Sequence, residues 1–263
     1  MDQATTERLR SLNRQFYTDF GREFSDTRAR LQPGVLRILG SVPTGGSILD
    51  LGCGNGELAR TLSRRAWGGY YLGVDFSLPL LNEAGREAFT FPVRFVQADL
   101  TTWDWAEVGM RNPHPEVAAH GRLAAAPAPT RPESFDLVFC FALLHHIPGF
   151  DLRLNVVRNV YELLKPKGMF IHSNWQFLTS PRWVARIQPW ETIGLGPSDV
   201  DPDDYLLDWK RGGRGLRYVH HFGERELEDL AKMGGFAVTE TFSSDGENKR
   251  SSLYQVWQKW ENR

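Results

Sequence analysis

Apolar residues recur along this chain with two different periods. Leu9, Leu12, Phe16 and Phe20 fall at helical spacing and predict an amphipathic helix over residues 5–20. After Gly21 a second helix follows, which Pro33 opens and Gly40 closes. Short apolar runs then take over as strands: Ile48, Leu49 and Leu51, then Tyr70 to Val74, then Val93 to Gln97. The run from Phe135 to Phe141 is apolar except for Asp136 and reads as a strand buried on both faces. Helical patterns cover Glu57 to Leu62 and Leu152 to Leu164, the second stopped by Lys165-Pro166-Lys167-Gly168 before a fifth strand, Met169 to Ser173. A helix over Glu224 to Met233 and strands over Phe236 to Phe242 and Leu253 to Trp257 complete the pattern. Strands alternating with helices predict an α/β chain, doubly wound about a mostly parallel sheet.

The chemistry gathers where the predicted strands end. ILDLGCGNG, residues 48–56, runs from a strand through Gly52, Gly54 and Gly56 into a helix. Alternate glycines let backbone approach a ligand closely, and the N–H groups of a helix opening behind the turn favour negative charge. The dinucleotide fingerprint G-x-G-x-x-G, counted from Gly52, requires glycine where the chain has Glu57. Asp50 and Glu57 beside the turn instead suit a ligand carrying positive charge. Asp75 ends the second strand and is placed to accept ribose hydroxyls, with Phe76 beside it to lie against a purine. Ala98-Asp99-Leu100 follows the third strand, and Asp99 is placed to accept an adenine amino group. Backbone carbonyls of Cys140 and Phe141 end the fourth strand and can accept an ammonium group. His145 and His146 come next, facing the acceptor side of the same sheet edge.

Two stretches interrupt the pattern. Residues 107–134 hold five prolines and clustered alanines without periodicity, and read as an insertion loop. Residues 178–222 are rich in Pro, Gly and Trp and read as an inserted cap. The cap carries the concentrated basic stretch Lys210, Arg211, Arg214 and Arg217, with Trp209 and Tyr218 interleaved for stacking and His220 and His221 after them. Residues 1–44 read as a helical lid over one 263-residue domain, in which Tyr17 stacks on the ligand and Arg28 pairs with its carboxylate.

Composition narrows the classes. Lys+Arg 31 against Asp+Glu 32 leaves a net charge of -1, so no global basic field points to nucleic acid. The two cysteines, Cys53 and Cys140, lie far apart in apolar contexts and fit a reducing compartment better than a disulfide or zinc site. The sequence has neither a long apolar span nor a secretory leader, so a cytoplasmic protein without membrane association is expected.

The glycine turn with Asp50 resembles motif I of the class I S-adenosylmethionine (SAM)-dependent methyltransferases, and residues 45–175 resemble their body. That resemblance implies a Rossmann-like fold with a seven-stranded, mostly parallel sheet ending in an antiparallel strand, SAM as cofactor and no metal. The SAM site it implies comprises Tyr17, Arg28, Asp50, Gly52, Cys53, Gly54, Asn55, Gly56, Asp75, Phe76, Ser77, Ala98, Asp99, Leu100, Cys140, Phe141 and His145. FYTDFGREFSDTRARLQP, VFCFALLHHI and DYLLDWKRGGRGLRYVHHFGERELEDL further resemble the tRNA wobble-uridine carboxymethyl methyltransferases over nearly the whole length. This narrower likeness implies esterification of a carboxymethyl group on a wobble uridine, a small zinc-binding activator as partner, and an acceptor site built from Arg217, Tyr218 and His220. A phenol or amine acceptor would instead need a general base, for which His146 or His145 is placed. The rival readings are a small-molecule carboxyl- or O-methyltransferase and a non-catalytic module on the same fold. An NAD oxidoreductase stands behind both.

Overall fold

The computed structural model describes residues 1–26, 30–106 and 133–260. Arg28 and most of the 107–134 stretch therefore lie outside the described residues.

The sheet strands are β1 (Ser47–Leu51), β2 (Tyr70–Asp75), β3 (Val93–Gln97), β4 (Phe135–Phe141), β5 (Leu164–Trp175), β9 (Phe236–Ser244) and β10 (Ser252–Lys259). They form one seven-stranded sheet in the order β3-β2-β1-β4-β5-β10-β9. β1 pairs in parallel with β2 on one side and β4 on the other, so the strand order reverses at β1. Such a reversal opens a crevice at the carboxyl ends of the strands, where ligands bind in open α/β sheets. β10 alone runs antiparallel, between β5 and β9. The expected Rossmann-like, mostly parallel sheet is the one observed.

Helices α1 (Gln3–Asp26), α2 (Pro33–Leu39), α3 (Glu57–Arg64), α4 (Leu78–Ala84), α5 (Phe150–Leu163), α6 (Pro181–Val184) and α7 (Glu224–Met233) surround two sheets. Two apolar clusters sandwich the main sheet. One joins Leu49, Leu51, Val138 and Phe170 to α5 and α7, and the other joins Ile48, Tyr71, Phe95 and Phe139 to α2, α3 and α4.

Two expectations about the elements change. α1 does not stop before Gly21 but runs on to Asp26, with Gly21 buried near the Ser77 hydroxyl. The buried face that Leu9 and Phe16 begin outweighs the cost of about 1 kcal/mol for a glycine inside a helix. The inserted cap contains a sheet of its own, β6 (Ile187–Gln188), β7 (Asp204–Trp209) and β8 (Gly215–His220), antiparallel throughout. Leu206 and Tyr218 of this sheet pack with Leu9 of α1, while Leu207 and Val219 on its other face pack with Phe177. α1 is therefore a wall shared by both sheets.

Candidate active site

The glycine turn puts its three glycines to two different uses. All three have positive φ, at 75° for Gly52, 54° for Gly54 and 82° for Gly56. A Cβ on Gly52 would press on Leu143 at 3.1 Å, and one on Gly56 would meet Ala84 at 2.9 Å. A Cβ on Gly54 would meet nothing within 4 Å. Gly54 is thus the position where the backbone lies bare to a ligand, while Gly52 and Gly56 pack the turn against the protein.

Asp75 braces this turn as well as facing the crevice. One carboxylate oxygen accepts the Gly54 N–H at 2.9 Å and the other accepts the Ser77 N–H at 2.8 Å. Burial raises its pKa, and those backbone N–H groups oppose the rise. Asp50, 4% exposed, accepts the Tyr71 hydroxyl. Burial pushes the Asp50 carboxyl up to about 7, opposed by the Tyr71 bond and reinforced by the charge of Asp75. A site that leaves a carboxylate this short of positive charge fits an ammonium or sulfonium group.

A cavity joins these residues. It is lined by Asp50, Gly52, Cys53, Gly54 and Asn55, by Asp75, Phe76 and Ser77, by Ala98, Asp99 and Leu100, and by Tyr17, Phe141 and His146. The strand-end positions read from the sequence thus converge on one crevice at the β1/β4 reversal. Ala142, which follows β4 on the cavity wall, has φ 53° and donates its N–H to the Ser173 carbonyl at 3.0 Å. The bare backbone at Gly54, the Asp75 carboxylate on the cavity wall and the buried Asp50 together fit a cationic nucleoside such as SAM.

Several expected residues lie elsewhere. Gly56 belongs to the packing between α3 and α4, as its Ala84 contact shows. The Cys140 side chain is fully buried on the α5 side of the core, which bears on its thiol and not on the backbone carbonyl expected to accept an ammonium. His145 is also fully buried, outside the cavity lining, where its Nδ1 accepts the Trp175 N–H at 3.4 Å. Tyr218 and His220 form a clasp inside the cap: the Tyr218 hydroxyl donates to Asp204 at 2.6 Å, and His220 bridges Asp204 at 2.8 Å and Glu226 at 2.9 Å. Trp209 and Tyr218 are 6% and 0% exposed, so neither is open for stacking at the surface. Their alternation along β7 and β8 turns them into the packing of the cap.

Arg217 neighbours that clasp on β8. It is 2% exposed, and its guanidinium lies 4.9 Å from the Trp175 ring, 5.5 Å from Phe16 and 5.8 Å from Trp209. His146 connects this aromatic region to the cavity. Its Nε2 meets the Tyr17 hydroxyl at 2.8 Å and its Nδ1 meets the Tyr218 carbonyl at 3.3 Å. A carbonyl only accepts, so Nδ1 carries the proton and Nε2 of the neutral ring accepts from Tyr17. Tyr17 therefore engages His146, and it contacts Phe76 edge-on at 5.9 Å.

Sequence reasoning missed the polar face of α1. Arg10, Asn13 and Arg14 all line the cavity with Tyr17. Asn13 donates to the carbonyls of His146 at 3.0 Å and Tyr218 at 3.1 Å and accepts the Tyr218 N–H at 2.8 Å. Arg14 pairs with Asp99, and Arg10 lies 3.7 Å from the same carboxylate. Bonds from Thr101 and Arg14 hold the Asp99 pKa below its ordinary value despite burial. The signal was the spacing 10, 13, 14 and 17, which puts these residues on one helix face.

Relatives match this chain over most of its length. A methyltransferase of Encephalitozoon cuniculi is 28% identical over 93% of this chain and 94% of its own length. The tRNA (carboxymethyluridine(34)-5-O)-methyltransferase of Schizosaccharomyces pombe is 24% identical over 86% of this chain and 89% of its own. The ubiquinone biosynthesis O-methyltransferase of Chromobacterium violaceum is 24% identical over 81% and 73%. A SAM-dependent methyltransferase structure from Methanosarcina mazei superposes with a TM-score of 0.59 at 16% identity, covering 88% of this chain and 99% of that one. Residues 24–241 match the family described as Methyltransferase domain. The family match covers most of the chain, so the chain belongs to that family and is a SAM-dependent methyltransferase, with its crevice at the β1/β4 reversal.

Proposed function

We propose that the methyl acceptor is a carboxylate, the carboxymethyl group of a tRNA wobble uridine. The observation that carries this reading is Arg217, a buried cation walled by Trp175, Phe16 and Trp209. A guanidinium holds a carboxylate through two parallel N–H donors, and flat aromatic walls suit a planar base beside it. The likeness to the Schizosaccharomyces pombe enzyme supports the same acceptor.

SAM supplies a methyl group on a sulfonium, and the thioether it leaves behind needs no acid. A carboxylate acceptor is already ionised at neutral pH, so the protein's task is to orient it. Arg217 holds the carboxylate, and the Tyr17–His146 pair lies between Arg217 and the cofactor cavity, where the acceptor oxygen has to meet the methyl group. Tyr218 and His220 act at one remove, keeping β8 and therefore Arg217 in place.

A second reading has its own observation. His146 Nε2, in contact with the Tyr17 hydroxyl on the cavity wall, is placed as the base a hydroxyl acceptor would need. Likeness to the O-methyltransferase of Chromobacterium violaceum supports a small-molecule acceptor of that kind.

Transfer of tritiated methyl from SAM to total tRNA, followed by nucleoside analysis, separates the two. The assay is run with and without a small zinc-binding activator of the kind the family resemblance implies. Label in the methyl ester of carboxymethyluridine is the expected result. Unlabelled tRNA in both arms, with methylation of small phenols or acids, would establish the second reading instead.

A further inference from the structure

Trp175 connects the buried Arg217 to the protein surface. Its ring meets Trp183 of α6 edge-on at 4.9 Å. Trp183 in turn carries the guanidinium groups of Arg182 and Arg186 at 5.3 and 5.0 Å. An aromatic post of this kind fixes the direction of two flexible cations and leaves their N–H groups to other partners.

The tip of the β7–β8 hairpin extends the same surface. The Asp208 N–H donates to the Arg186 carbonyl at 3.0 Å, which sets Arg186 beside the hairpin. Lys210, Arg211 and Arg214 at the tip are all exposed. The acidic neighbours are Asp208, 3.0 Å from Lys210 and 4.0 Å from Arg186, and Glu23 of α1, packed against Gly212. Arg182, Arg211 and Arg214 have no ion-pair partner among the described residues. The opposite end of β7 is acidic, with Asp201, Asp203 and Asp204. The small sheet is therefore polarised although the whole chain is nearly neutral, with a net charge of -1.

We propose that this basic end binds the phosphate backbone of a single-stranded RNA loop, with Arg182 and Arg186 presented by Trp183 and with Lys210, Arg211 and Arg214 along the strand. The proposal rests on the RNA-acceptor reading and adds where the RNA lies. Phosphate contacts fix register and orientation without reading sequence, which is what a loop needs if one of its bases is to reach Arg217. The aromatic contacts from Trp183 through Trp175 connect this surface to Arg217. An electrostatic contact of this type weakens linearly with the logarithm of salt concentration.

The test is fluorescence anisotropy of a labelled tRNA anticodon stem-loop on the full chain at several salt concentrations, with tritiated-methyl transfer to tRNA measured in parallel. R211E/R214E is expected to weaken RNA binding by about tenfold or more and to flatten the salt slope by about two, one for each phosphate that is no longer neutralised. SAM titration and thermal unfolding should match the wild type, since neither arginine lines the cavity or is buried. W183A is expected to weaken RNA severalfold, because Arg182 and Arg186 lose their fixed direction. If wild type binds and methylates RNA while R211E/R214E binds it equally well, the surface is overturned and the acceptor reading stands. A wild-type protein that neither binds nor methylates RNA overturns both.

Discussion

Asp75 and Asp50 show how much a single side chain does at the strand ends. Asp75 braces the turn through Gly54 and Ser77 and also lines the cavity, so Asp75→Ala removes charge-assisted bonds to both. SAM affinity should fall by about 1–3 kcal/mol, measured by titration calorimetry. Wild-type affinity in that variant would exclude Asp75 as the ribose partner. For Asp50 the expectation concerns pH. Its carboxyl titrates near 7 in the folded chain against 3.8 as the ordinary value, so the folded state keeps a proton that the unfolded state releases. The stabilisation from that proton is present at low pH and is lost as pH rises toward 7. A cation bound beside Asp50 favours the ionised form, so SAM should bind up to about tenfold more tightly at pH 7.5 than at pH 6 and release a proton on binding. Calorimetry in buffers of different ionisation heat would detect that proton, and Asp50→Asn should remove both effects. The sequence made these carboxylates legible because each ends an apolar strand run. It left Gly56 ambiguous, because a glycine that packs against Ala84 and one that faces a ligand share the same requirement for positive φ.

Among the elements, the central strands β1, β2 and β4 were legible because burial on both faces writes nearly continuous apolar runs. The cap sheet was not, because β7 and β8 carry Asp204, Arg217 and His220, which are buried in the fold but read in sequence as polar surface. His220 holds this sheet to α7. Burial lowers its pKa, but bonds to Asp204 and Glu226 outweigh burial and leave it raised above 6.5, with Arg153 opposing. A raised histidine stabilises the fold most below its unfolded pKa, and that contribution is lost as pH rises through the folded value. Hydrogen exchange should therefore show β7, β8 and the start of α7 losing protection above pH 6.5, after correction for intrinsic rates, while β1 and β4 do not. His220→Gln should flatten this dependence. A pH-independent cap in the wild type would show that the clasp does not carry the cap's stability.

At the scale of the whole molecule, the cofactor and the proposed acceptor occupy different units, and α1 joins them. The main sheet supplies the cavity, the small sheet supplies Arg217, and α1 touches both, Tyr17 at the cavity, Phe16 at Arg217 and Asn13 at each. The two functions should therefore be separable by mutation at Arg217, which lies outside the cavity lining. Arg217→Ala is expected to leave SAM affinity within about twofold and to lower kcat/KM for the acceptor by about a hundredfold or more, the loss of a charge-assisted pair. Arg217→Lys keeps the charge but not the fork and should recover only part of that loss. Because Arg217 is buried against three aromatic rings, thermal unfolding of both variants is needed to separate acceptor binding from cap stability. If the lysine variant folds as the wild type does and turns over equally fast, a fixed guanidinium is not what holds the acceptor. If SAM binding falls together with turnover, α1 transmits the damage, and the two sites act as one unit.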